Sequence, residues 1–310
     1  MRRLLLAYDG SPCAEAALDD LANAGLPAEI EVMVLSVADV WLPTNPDSVE
    51  PVFPKALSAS VRKARTQALE ALEAARLLAG QAAQRLKLSF PNWQLESAAC
   101  ADSPGWAVAK KAREWNASLV VLGSHGRSPL QRLFLGSVAQ KVAVEAPCSV
   151  RIARPRAAET FPPRLRIMVA VDGSAGSELV LRELRSRTWP SFAEFRIVTV
   201  IDSRLQTAVA WPGLLADRWV QPQDEESREW IRRMAQHSAE QLSSAGLAVE
   251  THIFEGEPTT VLLAQAEDWG ASCVFVGDRG LNHGNRLTLG TVASSVAARA
   301  PCSVEISRGS

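Results

Sequence analysis

Residues 123–137 read GSHGRSPLQRLFLGS, and residues 277–291 read GDRGLNHGNRLTLGT. Both place glycine at the first, fourth and fourteenth positions, followed by Ser or Thr, while most residues between have changed. Extended outward at a constant offset of 154, residues 117–150 and 271–304 are identical at 18 of 34 positions without a gap. Self-similarity of this length is the mark of a duplication. Towards the N-terminus the offset becomes 163, because LLLAYDGSPCAEAAL from Leu4 matches IMVAVDGSAGSELVL from Ile167, with Asp9 opposite Asp172. The first copy therefore carries nine extra residues, and the proline-rich stretch 41–55, WLPTNPDSVEPVFPK, is their expected place. The join RPRAAETFPPR, residues 154–164, has three prolines and no apolar periodicity and reads as a linker between a first domain, 1–153, and a second, 165–310.

Within each copy, short apolar runs alternate with helical patterns. In the first, residues 3–8, 30–37 and 118–122 read as buried strands, NWQLESAA as a more polar one and CSVRIA as the last. SPCAEAALDDLANAG and SPGWAVAKKAREWN open on Ser-Pro and carry helical spacing, and residues 57–88 read as one long helix. This alternation calls for a parallel sheet covered on both faces, with right-handed crossovers. Ligands of such sheets collect at the carboxyl ends of the strands, where strand order reverses.

The 33 basic and 34 acidic residues leave no basic excess for neutralising phosphates of nucleic acid, so DNA and RNA are poor candidate partners. Asp9 interrupts the apolar run that follows the initial MRR, which therefore reads as a strand and not as a signal peptide. No stretch approaches the roughly 18 to 20 apolar residues of a membrane span, and the expected location is cytoplasmic. Five cysteines, at 13, 100, 148, 273 and 302, form no C-x-x-C and no metal spacing with the histidines, so buried free thiols are expected.

In each copy a strand, ASLVVL or ASCVFV, runs into G-x2-G, nine further residues, and Gly-Ser or Gly-Thr opening a helix. Strand, glycine loop and helix N-terminus together hold anionic phosphate. Glycines let backbone amides approach a ligand, first-turn amides point at it, and the hydroxyl of Ser137 or Thr291 adds a donor. The competing reading is turn and cap geometry alone, which a duplication would also preserve. Neither G-x-x-x-x-G-K-[ST] nor a G-x-G-x-x-G after a strand occurs.

The combination of G-x2-G-x9-G-[ST], an Asp ending the first strand in AYDGS or AVDGS, and APCSV leading into the last strand resembles the universal stress protein family in its tandem form. The resemblance covers nearly the whole chain. It implies an α/β fold made of two copies of an open, doubly wound five-stranded parallel sheet of order 3-2-1-4-5 with helices on both faces. For members with this glycine motif it also implies ATP, with or without Mg²⁺, in the crevice between the first and fourth strands. Carried over residue by residue, Asp9 would face the adenine with Ala7 and Val37, and Gly123 would meet the ribose. Gly126, Arg127, Gly136, Ser137 and Val138 would hold the phosphates. The matching positions of the second copy are Ala170, Asp172, Val200, Gly277, Gly280, Gly290, Thr291 and Val292. A turn or N-cap role for Asp9 and Asp172 in DGS is compatible with this assignment.

The two loops differ. Ser124, His125 and Arg127 suit a polyphosphate, whereas Asp278 would oppose one by around a kcal/mol unless Arg279 neutralises it or it points away, and Leu281 replaces the arginine. The first site is therefore expected to be the tighter. No catalytic arrangement can be assembled from His125, Asp102, Asp278 or Glu257, so an ATP-binding regulatory protein is the first expectation. A slow ATP hydrolase whose turnover resets conformation, or a dimerisation scaffold with a degenerate second site, are the alternatives. Members of the family associate through their last strands, which implies an intramolecular pseudo-dimer here and allows a homodimer. Arg151 in CSVRIA and Glu305 in CSVEIS would then meet as unlike charges, or else stand as two unrelated solvent-facing groups. Trp41, Trp211 and Trp219 fall where the copies differ most, as base-pocket neighbours or anchors for a partner.

Overall fold

The computed structural model describes residues 2–40, 59–126, 135–155, 164–202, 207–208, 219–220, 225–280 and 289–309. Arg127, Leu281, Trp41, Trp211, most of the linker and the proline-rich stretch lie outside the described residues. The first half runs β1 (Arg3–Ala7), α1 (Pro12–Asp20), β2 (Glu31–Ala38), α2 (Ala59–Ser89), β3 (Gln94–Ala101), α3 (Pro104–Glu114), β4 (Leu119–Gly123), α4 (Ser137–Glu145) and β5 (Ser149–Ala153). The second runs β6 (Leu165–Ala170), α5 (Ala175–Arg185), β7 (Ala193–Ile201), a two-stranded ribbon of β8 (Thr207–Ala208) and β9 (Trp219–Val220), then α6 (Glu225–Ser243), β10 (Ala248–Glu255), α7 (Pro258–Asp268), β11 (Cys273–Gly277), α8 (Thr291–Arg299) and β12 (Ser303–Ser307). The ribbon, which contains Trp219, has no counterpart among the described residues of the first half.

The turn after the first strand is built alike in both halves. Gly10 and Gly173 adopt φ of +73° and +78°, a left-handed conformation that favours glycine. Ser11 and Ser174 then cap α1 and α5, each hydroxyl accepting an amide three residues on, from Ala14 and from Ser177.

Each half contributes five parallel strands in the expected order 3-2-1-4-5, and the two sets share one sheet. One ten-stranded sheet of order β10-β7-β6-β11-β12-β5-β4-β1-β2-β3 runs through the molecule. Strands within each half are parallel in the expected local order, and β5 and β12 join antiparallel with Arg151 opposite Glu305. Left apart, each half would present an unpaired row of N–H and C=O groups along its last strand. Every residue of β5 and β12 is buried once they pair.

The core follows from this joining. On one face α3, α4, α7 and α8 cover a single cluster that crosses from Leu5 and Val150 in the first half to Val274 and Val304 in the second. On the other face each half keeps its own cluster, under α1 and α2 or under α5 and α6. Arg151 and Glu305 are wholly buried there, not solvent-facing. The Arg151 guanidinium donates to Asp20 at 2.6 Å and to Glu305 at 2.9 Å, and Arg187 binds Glu305 and, at 3.2 Å, Glu183. Burial opposes the charge on Glu305, yet Arg187 and Arg151 outweigh it and hold the carboxyl below its usual range.

Candidate nucleotide sites

In the first half a cavity of about 550 Å³ opens at the carboxyl ends of β1, β2 and β4. Ala7, Asp9 and Val37 line it together with Gly123, Gly126, Gly136, Ser137 and Val138. All the residues singled out from the first copy except Arg127, which is not described, thus meet in one space. In the second half Ala170, Asp172, Val200, Gly277, Gly280, Gly290, Thr291 and Val292 line a smaller cavity, of about 200 Å³.

Both loops are fastened in the same way. The amide of Gly136 donates to the carbonyl of Ser124 at 2.9 Å, and that of Gly290 to the carbonyl of Asp278 at 2.9 Å, drawing the end of each loop onto its start. These glycines are the N-caps of α4 and α8, and neither helix has a side-chain cap, so no side chain competes for the first-turn amides. A helix N-terminus so arranged offers backbone donors and the positive end of the helix dipole to an anion.

Asp9 acts within its turn and beside the loop at once. One carboxylate oxygen accepts the Ser11 amide at 3.0 Å, and the other lies 3.1 Å from where a Cβ on Gly126 would stand. Asp172 accepts the Ser174 amide at 3.0 Å and lies 2.7 Å from the corresponding point on Gly280. Ser11 Oγ further donates to the carbonyl of His125, and Ser174 Oγ to that of Arg279, so the first helix of each half is tied to its glycine loop. Gly123 has a packing reason independent of any ligand. A Cβ there would come within 2.5 Å of the Cys13 backbone, and one on Gly277 within 2.6 Å of the Gly176 backbone.

Of the residues considered for hydrolysis, His125 lines the first cavity, with Nδ1 3.1 Å from Ser124 Oγ. Asp102 instead accepts the Ser103 amide at 2.7 Å, and Glu257 caps α7 by accepting from the amides of Thr259 and Thr260. Burial works against the Glu257 charge, but the bonds from Thr260 and Thr259 outweigh it and pull its pKa to about 2. Among the described residues no group of three or more His, Cys, Asp or Glu is placed to hold a metal ion.

Of the alternatives left open for Asp278, the structure favours neutralisation. Its carboxylate is largely buried and pairs with Arg308 at 3.2 Å, with Arg279 further off at 3.8 Å, so two cations offset its charge. Two residues escaped the sequence reading. Asp39 and Asp202 follow β2 and β7, line the two cavities, and are related by the same offset of 163 as Asp9 and Asp172. Their position just beyond a strand's carboxyl end was the signal that could have found them.

The long helices meet the two cavities differently. Leu78 packs where Gly10 would carry a Cβ, and Met234 and Trp230 pack against Gly173. The buried residues Ala75, Ala79, Ala82 and Leu86 of α2 correspond to Ile231, Ala235, Ser238 and Leu242 of α6 at a common offset of 156. Trp230 consequently replaces Ala74, which lines the first cavity with Ala71 and Ala75. Among the described residues, no side chain of α6 lines the second.

Solved structures share this fold over almost the entire chain. A universal stress protein from Archaeoglobus fulgidus superposes with a TM-score of 0.61 at 21% identity, covering 99% of this chain and 96% of its own. A Pseudomonas aeruginosa protein does so with a TM-score of 0.54 at 14% identity, covering 99% and 92%. A universal stress protein of Thermus aquaticus is 31% identical over 160 residues, which are 49% of this chain and 98% of that protein. Universal stress protein YxiE of Bacillus subtilis is 27% identical over 154 residues, again 49% of this chain and 98% of its own. The profile of the universal stress protein family matches residues 1–154 and again 163–308, and the chain belongs to that family.

Proposed function

We propose that the protein binds ATP, or a related adenine nucleotide, in both cavities, more tightly in the first, and acts as a nucleotide-dependent regulator in the stress response. One observation carries this reading: the residues chosen from the glycine motif and the first two strands converge on a single cavity of about 550 Å³ beside an uncapped helix N-terminus. In it the base lies against Ala7 and Val37, and the phosphates rest on the amides of Gly126, Gly136, Ser137 and Val138 with the Ser137 hydroxyl. Mg²⁺ accompanies the phosphates and offsets part of their charge, which the carboxylate of Asp9 beside Gly126 would otherwise oppose. The protein works in the cytoplasm. Its joined last strands serve as an intramolecular pseudo-dimer contact, which leaves homodimer formation to other surfaces.

Isothermal titration with ATP, with and without Mg²⁺, on the parent protein and on Gly136→Trp and Gly290→Trp tests the reading. The expected result is loss of the tighter site in Gly136→Trp and its retention in Gly290→Trp. Binding confined to the second half, or none in the parent, overturns it. Nucleotide analysis of the same samples separates the hydrolase alternative, which requires ATP to be consumed.

A further inference from the structure

Arg154 and Arg308 occupy equivalent positions one residue beyond β5 and β12, and each reaches across to the other half. Arg308 donates to the carbonyls of Ala143, at 2.9 Å, Val144, at 3.4 Å, and Ala146, at the carboxyl end of α4. Arg154 donates to those of Ala297, at 2.5 Å, Ala298, at 3.1 Å, and Cys302, at the carboxyl end of α8. Four carbonyls at the end of any α-helix lack an intrahelical partner, and a cation there also meets the negative end of the helix dipole. The exchange is therefore a reciprocal cap: each half's last helix is closed by an arginine of the other half.

Those two helices are the ones whose N-termini face the cavities. Each has nine residues, so a shift at the capped end is carried along about 13 Å of rigid rod to the amides of Ser137 and Val138 or of Thr291 and Val292. Resting on the nucleotide reading above, we propose that Arg308 and Arg154 are positioning residues for the phosphate-holding helix of the opposite half. The device is not symmetric. Arg308 also binds Asp278, whose carbonyl receives the amide of Gly290, so one arginine joins the loop of the second cavity to the helix of the first. In the first half that loop position is Ser124, whose hydroxyl lies beside Cys13 and His125 instead. Among the described residues, the link that Arg308 makes between the second loop and α4 has no counterpart between the first loop and α8, where Arg154 meets helix-end and Cys302 carbonyls alone.

The test is titration with ATP in the Gly290→Trp background, where only the first cavity is open. Arg308→Ala is expected to weaken binding about three- to tenfold, the size of effect a helix-terminal charge exerts. Arg308→Lys, which keeps a cation against the same carbonyls, recovers most of it. Arg154→Ala, although it lies in the same half as that cavity, weakens binding less than Arg308→Ala does. General loss of stability predicts neither the crosswise order nor the rescue. Unchanged affinity in Arg308→Ala, or a larger effect from Arg154→Ala, overturns the proposal while leaving the nucleotide reading intact. Absence of ATP binding in Gly290→Trp alone removes the nucleotide reading itself, and this inference with it. Should Arg308→Ala fail to fold, Arg308→Gln, which keeps one amide donor and loses the charge, carries the same expectation.

Discussion

Gly123 shows how a residue of a binding motif can be required by packing. Its place at the end of β4 lets the first turn of α1 come so close that any side chain would strike Cys13, and Gly277 stands in the same relation to Gly176. The glycine pattern therefore records a helix–strand contact as well as a loop, which spacing alone could not separate. Glu257 is the reverse case, a residue weighed for chemistry that turns out to hold a helix end. Because its folded pKa, about 2, lies below the ordinary carboxylate value of 4.5, its contribution is present above the latter and lost as pH falls towards the former. Glu257→Gln is expected to cost up to about 1 kcal/mol at neutral pH, a modest value for a cap open to solvent. Thermal melting of both proteins at several pH values checks this: the gap should close between pH 5 and pH 2, and a pH-independent gap contradicts the ionic cap.

At the scale of elements, β5 and β12 decide the architecture. Each would otherwise be an edge with unpaired N–H and C=O groups, and their antiparallel pairing buries Arg151 and Glu305 between the halves. Two charges withdrawn from water add little net stability together, but removing one leaves the other buried and uncompensated. Arg151→Ala, which strands Asp20 and leaves Glu305 to Arg187 alone, should therefore destabilise by about 3 to 5 kcal/mol in chemical denaturation. A change below 1 kcal/mol would mean that water or a rearranged Arg187 replaces it. The pair's identity was readable once two copies were aligned, since Arg151 and Glu305 share a position. Its burial was not, because nothing local to CSVRIA or CSVEIS says what covers α1 and α5 at the junction.

For the molecule as a whole, duplication has produced two cavities of one design and unequal size. Trp230 takes the register position of Ala74, which lines the first cavity, and packs instead against Gly173. Trp230→Ala is expected to enlarge the second cavity and strengthen ATP binding there several-fold when measured by calorimetry in Gly136→Trp, at some cost in stability from the lost ring. Unchanged affinity would return attention to the loop, where Asp278 and Leu281 differ from Ser124 and Arg127.

The sequence by itself determined the duplication, the βα alternation and the order of elements, because these depend on residue spacing and on short-range turn and cap chemistry, while the positions that gather at each cavity came from the family resemblance its motifs carry. AYDGS and AVDGS specify their turn through Asp, Gly and Ser within a few residues, and the strands announce themselves as apolar runs. Only the tertiary structure decided that the joined last strands bury Arg151 and Glu305, that Asp278 turns to Arg308, that Trp230 packs against Gly173, and that Arg154 and Arg308 exchange caps. Each of these rests on contacts between residues far apart in the chain, where the partner of a charge or the filling of a space is set by how the two halves dock.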